Sequence, residues 1–312
     1  MNARPITTFD ELLATAASLP EKRVLVALPT NIETFEAVRD ALDRLNTRFI
    51  LVGEEETITR RLASVHAASK KVEVRQAHGT EDALQASTEL LRLGKADLVM
   101  KGSIDTGTLM RALLDEKSGL RTGRLLSDVF ITESSLPEGK RFLMITDGGL
   151  NPAPDLKDKI DIVHNAVSVA HALGNAIPRV AILSATELVS ANIPSTIDAA
   201  ILAKMNDRGQ ITGCIVDGPL GLDNAISSTA AAEKRIRSEV AGRADILVAP
   251  TIEAANALAK STTYFAGWRL AHVIVGGKVP ILIPSRADKS DAKLLSIALG
   301  MMMSGYLEAE QQ

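Results

Sequence analysis

The chain has 312 residues, of which 46% are hydrophobic, 23% charged and 3% aromatic, with a formal net charge of −3. That length suits two domains better than one core. The balanced charge excludes a binder of phosphate backbones, and the scarcity of aromatics excludes a stacking platform for bases.

A single cysteine allows no intramolecular disulfide and no cysteine cluster for zinc. There is no run of about 18 apolar residues to span a membrane. The opening MNARPITTFDELL lacks the apolar segment of a signal peptide. These features predict a cytoplasmic protein that binds neither membrane nor nucleic acid.

In chain order, Thr8 can cap a helix over Phe9 to Ser18, and Arg23 to Leu28 (RVLVAL) reads as a buried strand. Ile32, Phe35, Val38, Leu42 and Leu45 share one face of a helix from Asn31 to Leu45. Strands are predicted at Arg48–Val52, Val72–Arg75 and Asp97–Met100, with helices at Ile58–Val65 and Thr80–Leu93 between them. This β–α alternation predicts a parallel, doubly wound sheet. It lapses between Ser118 and Gly139, where Gly119, Gly123, Pro137 and Gly139 break the pattern.

Alternation resumes with a strand at Arg141–Thr146 and a helix over Asp155–Leu173. Further strands are predicted at Arg179–Leu183, Ile211–Val216, Asp245–Ala249 and His272–Val275. Helices are predicted at Ser195–Met205, 225–240 and Glu253–Phe265. Cys214 reads as a buried strand residue, His164 and His171 as structural, and Met301 to Met303 as core or subunit interface.

The richest stretch is ILIPSRADKSDAKL, 281–294. Ile281 to Ile283 read as a short strand and a helix follows from Asp288. Ser285 and Arg286 therefore sit where a strand end meets a helix N-terminus, a place that favours anions. Arg286 offers a fork suited to phosphate, and Ser285 a hydroxyl donor. Equally, Asp288 and Asp291 fit a helix cap, and Arg286 a surface ion pair. Lys101, Gly102 and Ser103 form a second such turn after Asp97–Met100, with an exposed surface lysine as the alternative. No P-loop spacing and no GxGxxG follows any strand.

The stretches Asp97–Gly102, Thr146–Asn151, Pro154–Leu156 and Ala181–Ala185 share their pattern with one family, as do DRGQITGCIVDGPLGLDNAIS (207–227), Gly242–Leu247 and Ser285–Asp288. Together they resemble the phosphate acetyl/butyryltransferases, and more the butyryl branch. The resemblance runs from about residue 95 to about residue 300.

It implies two doubly wound, three-layer α/β/α domains with a cleft between them, as in isopropylmalate dehydrogenase. The domains would be 1–125 plus 286–312, and 126–285. It implies reversible transfer between acyl-CoA plus phosphate and acyl phosphate plus coenzyme A. Transfer would be by direct thiol attack, with coenzyme A as substrate, no bound cofactor and no metal. Family members commonly form homodimers.

The implied catalytic residues are Ser285, Arg286, Asp288 and Asp291. The implied substrate contacts are Lys101, Gly102 and Ser103, with Asp147, Asp217, Gly218, Asp223, Asn224, Glu253 and Asn256. The acetyl branch places its base seven residues after the serine, where this chain has Ala292, so the base is left between Asp288 and Asp291. Thr251 and Ala255 also depart from the family's loop. A non-catalytic acyl-CoA or acyl-phosphate binder and a metal-dependent decarboxylating dehydrogenase are the rival readings.

Overall fold

A computed structural model of the protein describes residues 4–136, 139–285 and 288–310. The chain divides into two units. The outer unit holds Phe9–Arg124 and the described part of Ala271–Gln312; the middle unit holds Leu125–Leu270 and the described part of Met1–Thr8. Both are α/β.

The outer unit begins α1 (Phe9–Ala17), β1 (Lys22–Ala27), α2 (Ile32–Arg44), β2 (Thr47–Gly53), α3 (Glu55–Ser64), β3 (Val72–Gln76), α4 (Gly79–Arg92), β4 (Leu98–Lys101) and α5 (Thr106–Leu113). Parallel pairing joins β1 to both β2 and β4, and β2 to β3. Every residue of β4 is buried, and all but one of β1. Helices covering both faces of a sheet require such continuous apolar runs.

The middle unit opens on β5 (Ser127–Leu136) and β6 (Gly139–Thr146), then α6 (Leu156–Ala172), β7 (Arg179–Leu183), α7 (Pro194–Asp207), β8 (Ile215–Leu220), α8 (Leu222–Ile226), α9 (Ser228–Glu233), β9 (Ile246–Val248) and α10 (Ile252–Tyr264). Its strand order is β5-β6-β9-β7-β8. β5 is antiparallel to β6, and β6, β9, β7 and β8 run parallel. Asp155 and Asp158 close a capping box at the start of α6.

The chain then forms β10 (Leu270–Val275), β11 (Ile281–Leu282) and α11 (Ser290–Glu310). β11 pairs parallel with β4 and antiparallel with β10. Helix α11 packs on α1 and α2. It also approaches the sheet through Gly300, where an added Cβ would lie 2.7 Å from Leu98 Cδ1 and 3.2 Å from Leu282 Cδ2.

Several elements differ from the sequence reading. The outer unit takes up the chain again at Ala271, and pairing through β11 joins this stretch to β4. The expected lapse contains β5, which pairs with β6 along eight residues. The strand expected at 211–216 starts instead at Ile215, because Gly213 takes a left-handed φ of 78°. Cys214 thus precedes the strand and is half-buried, and burial pushes its thiol up to about 11.

The helix expected over 225–240 is two short ones. Ser227 caps the second by accepting from Ala230 N–H, and Arg235 takes a left-handed φ of 56° just after it ends. Helix α11 starts at Ser290 rather than Asp288. His171 donates to the Gly213 carbonyl at 2.9 Å, a structural role, and Met301 and Met303 are core. Among the described residues no helix is long and apolar enough to cross a membrane.

The two glycines of α11 make opposite predictions. Nothing lies within 4 Å of a Cβ at Gly305, so Gly305→Ala should stabilise the protein by about 0.5–1 kcal/mol through helix propensity. Gly300→Ala meets two buried leucines and should cost about 1–2 kcal/mol. Urea denaturation of both variants checks the pair; equal shifts would contradict the packing described.

Candidate functional site

In open α/β sheets, chemistry gathers at the carboxyl ends of parallel strands. In the outer unit β1, β4 and β11 are neighbours, and at or past their ends lie Leu28–Asn31, Lys101–Asp105 and, after β11, Ser285 and Asp288. At the end of β4 the backbone comes very close to β1. Gly102 N–H donates to Ala27 at 2.9 Å and Ser103 N–H to Leu28 at 2.8 Å. A Cβ on Gly102 would lie 2.2 Å from the Leu28 oxygen, so only glycine fits. Leu28 itself turns left-handed, with φ of 52°.

Those bonds change the chemistry expected of the turn. The Gly102 and Ser103 amides face carbonyls of β1, and the first turn of α5 holds the Asp105 carboxylate, which accepts from Thr108 N–H at 2.9 Å. An incoming anion would therefore meet side chains here. The exposed hydroxyls of Thr30 and Ser103 contact each other. Lys101 is buried rather than a surface lysine, and its Nζ donates to the Ile104 carbonyl at 3.2 Å.

The turn after β11 is closed from both sides. Ser285 N–H donates to Asp288 Oδ2 at 2.7 Å, and Asp288 N–H donates to the Ser285 carbonyl at 3.1 Å. Ser285 is exposed and Asp288 half-buried. Asp291 lies exposed in the first turn of α11. Arg286 lies outside the described residues. Lys293, which the sequence reading passed over, is buried beneath the turn and donates to the Asp288 carbonyl.

In the middle unit Asp147 follows β6 and is buried. Its carboxylate collects the N–H groups of Asp128 (3.1 Å), Gly149 (2.9 Å), Leu150 (3.1 Å) and Asn151 (3.1 Å), and the Asn151 side-chain amide. Burial pushes the Asp147 carboxyl above the ordinary carboxylate range and Asp128 adds to this, while the Gly149 and Asn151 donors oppose it. The loop needs its glycines. A Cβ on Gly149 would lie 2.3 Å from Asp128 Oδ2, and one on Gly148 2.7 Å from the Phe130 ring. Asn256 of α10 donates to the Gly148 carbonyl at 2.8 Å, so Asp147 and Asn256 brace one loop. Glu253 is exposed in the first turn of α10, and N–H and Thr251 hydroxyl donors hold its carboxyl below the usual range.

A charged cluster stands past β8. Lys234 pairs with Glu187 at 3.0 Å and Asp223 at 3.3 Å, and Glu187 also accepts from the buried Asn224 amide at 3.3 Å. Asn224 Oδ1 is buried without a donor among the described residues. Asp217 and Gly218 lie within β8 rather than after it. A Cβ on Gly218 would lie 2.8 Å from the Ile182 carbonyl, so this glycine serves strand packing. Glu187 and Lys234 escaped the sequence reading because nothing in their spacing links them to Asp223. Among the described residues no group of three or more His, Cys, Asp or Glu could hold a metal ion.

Residues 67–301 match the family model described as phosphate acetyl/butaryl transferase. The phosphate butyryltransferase of Clostridium beijerinckii is 41% identical over 95% of this chain and 97% of its own. The phosphate acetyltransferase of Thermotoga maritima is 42% identical over 95% and 100%. Among solved structures, a branched-chain phosphotransacylase from Enterococcus faecalis superposes with a TM-score of 0.81 at 32% identity, covering 91% of this chain and 99% of that one.

The Asp147 loop makes a direct prediction. Asp147→Asn turns an amide toward the donors of Asn151, leaving donors facing donors in a buried site. The expected cost is about 2–4 kcal/mol, measured by urea denaturation with native circular dichroism at zero denaturant. An unchanged midpoint would show that the carboxylate does not hold the loop.

Proposed function

The chain belongs to the phosphate acetyl/butyryltransferase family, and we propose that this phosphate acyltransferase converts short-chain acyl-CoA, butyryl or acetyl, plus phosphate into acyl phosphate plus coenzyme A, and the reverse. The observation that carries the reading is identity of about two residues in five with enzymes named for this reaction, sustained over nearly the whole chain. Coenzyme A is a substrate here, and no bound cofactor is invoked.

In the direction of thioester formation, the coenzyme A thiol gives its proton to a carboxylate and its sulfur attacks the acyl carbonyl carbon. The C–S bond forms as the C–O bond to the phosphoryl group breaks, and phosphate leaves with that electron pair. Both substrates are bound together and no acyl-enzyme forms. Cys214, with its thiol pushed to about 11, is a poor nucleophile.

We assign Ser285 to the developing oxyanion or the sulfur, and Arg286, on its sequence position, to the phosphoryl group. Lys101 and the hydroxyls of Ser103 and Thr30 add polar groups at the adjoining strand end, where Gly102 allows the close approach. Asp223, Asn224, Glu253 and Asn256 are assigned to substrate contacts in the middle unit, with Asp147 holding the loop after β6 and Asp217 and Gly218 supporting from within β8.

Asp288 is our choice of base, because its carboxylate belongs to the same closed turn as Ser285. We also infer a homodimer. Leu188 and Val189 are 69% and 61% exposed, and Ile197 and Ile201 are exposed one turn apart on α7, apolar surface that self-association would cover.

The test is release of free thiol from acetyl-, butyryl- and longer acyl-CoA with and without phosphate, for the parent, Asp288→Asn and Asp291→Asn. Asparagine at 288 can still accept from Ser285 N–H but takes no proton. The parent should release thiol only with phosphate, and faster from acetyl- or butyryl-CoA than from the longer acyl-CoAs. Asp288→Asn should lose about 10²–10⁴-fold in kcat with little change in stability, and Asp291→Asn far less. Thiol release independent of phosphate would refute the function, and a normal Asp288→Asn would refute the base.

A further inference from the structure

Lys293 is among the largest fully buried side chains of the molecule, with 1% of its surface exposed. Burying an amine is costly unless it is partnered, and a methionine would fill the same space without that cost. The partners of this amine are backbone. Its Nζ donates to the Asp288 carbonyl and, more weakly at 3.5 Å, to the Ser285 carbonyl. It thereby holds both ends of the turn that Ser285 N–H and the Asp288 carboxylate close from above.

Burial pulls the Lys293 amine below the usual lysine range, while Asp288 and Glu33 favour its charged form. Its neighbours in α11, Leu294 to Met301, are buried in an unbroken run. The amine is therefore carried on a rigid element, and the turn hangs from it.

We propose that Lys293 is a positioning residue for acyl transfer, setting Ser285 and Asp288 through their backbone carbonyls without touching substrate. The proposal rests on the phosphate acyltransferase reading and adds a residue to it. Displacing a reacting group by about 1 Å can cost on the order of 100-fold in rate. The effect of Lys293 should therefore fall on turnover and should depend on the hydroxyl of Ser285.

The experiment is a double-mutant cycle on the full chain with butyryl-CoA and phosphate, using Lys293→Met, Ser285→Ala and the pair. Lys293→Met should keep the parental circular dichroism and lose about 10- to 100-fold in kcat. KM for either substrate should move by less than about threefold. Adding Ser285→Ala to Lys293→Met should slow it by much less than Ser285→Ala slows the parent, since the placed hydroxyl is already lost.

Lys293→Gln keeps a donor near the carbonyls and should recover part of kcat; it carries the same cycle if the methionine variant fails to fold. A lysine that only supports the fold would lower the melting temperature, leave kcat near parental and leave the Ser285→Ala effect whole in both backgrounds. That result would overturn the proposal while the function stood. A parent that turns over no acyl-CoA would instead remove the function, and the proposal with it.

Discussion

The backbone of Gly102 lies against the Leu28 carbonyl, closer than any residue with a Cβ could come. Much of the geometry at this end of the outer unit depends on that approach. It continues the β1–β4 ladder beyond the strands proper, through bonds from Gly102 to Ala27 and from Ser103 to Leu28. It brings the hydroxyls of Thr30 and Ser103 into contact. Because β11 pairs with β4 on its other side, the turn bearing Ser285 and Asp288 follows the adjoining strand end. The approach also takes up the Gly102 and Ser103 amides, which a strand-to-helix turn often offers to anions.

The middle unit solves a related problem with a carboxylate. The loop after β6 has N–H groups turned inward, and the buried Asp147 side chain accepts three of them together with the Asp128 N–H of β5. Glycines at 148 and 149 let that loop pass Phe130 and Asp128. In each unit a strand end is fixed by backbone polar groups meeting a specific acceptor, with glycine where a side chain would collide. Such rigid placement would suit the proposed direct transfer, in which the gain would come from orientation and from donors already aimed at the developing charge.

Much of this was legible in the residues. Parallel strands buried on both faces must be apolar runs, so RVLVAL and the strand before Lys101 stood out, as did the amphipathic helices between them. Strand β5 did not, because SDVFITESSL is buried along most of its length, lacks clean alternation and follows two glycine breakers. The alanine-rich stretch after Leu222 reads as one helix by propensity, yet Ser227 starts a second and Arg235 turns left-handed after it. Ser285, Asp288, Lys101 and Asp147 were legible as site candidates from strand-end position and family pattern. The roles of Lys293 and Glu187 were not, since both depend on contacts that spacing does not encode. A lysine followed by a buried apolar run was the one available sign of the former.

The central claim is direct transfer of the acyl group between coenzyme A and phosphate, both held at once. Exchange of labelled inorganic phosphate into butyryl phosphate tests it most directly, measured with the enzyme in the presence and absence of coenzyme A. Direct transfer predicts exchange only when coenzyme A is present, because phosphate can leave only as the thioester forms. Label entering butyryl phosphate without coenzyme A would mean that the protein itself carries the acyl group, and would contradict the mechanism.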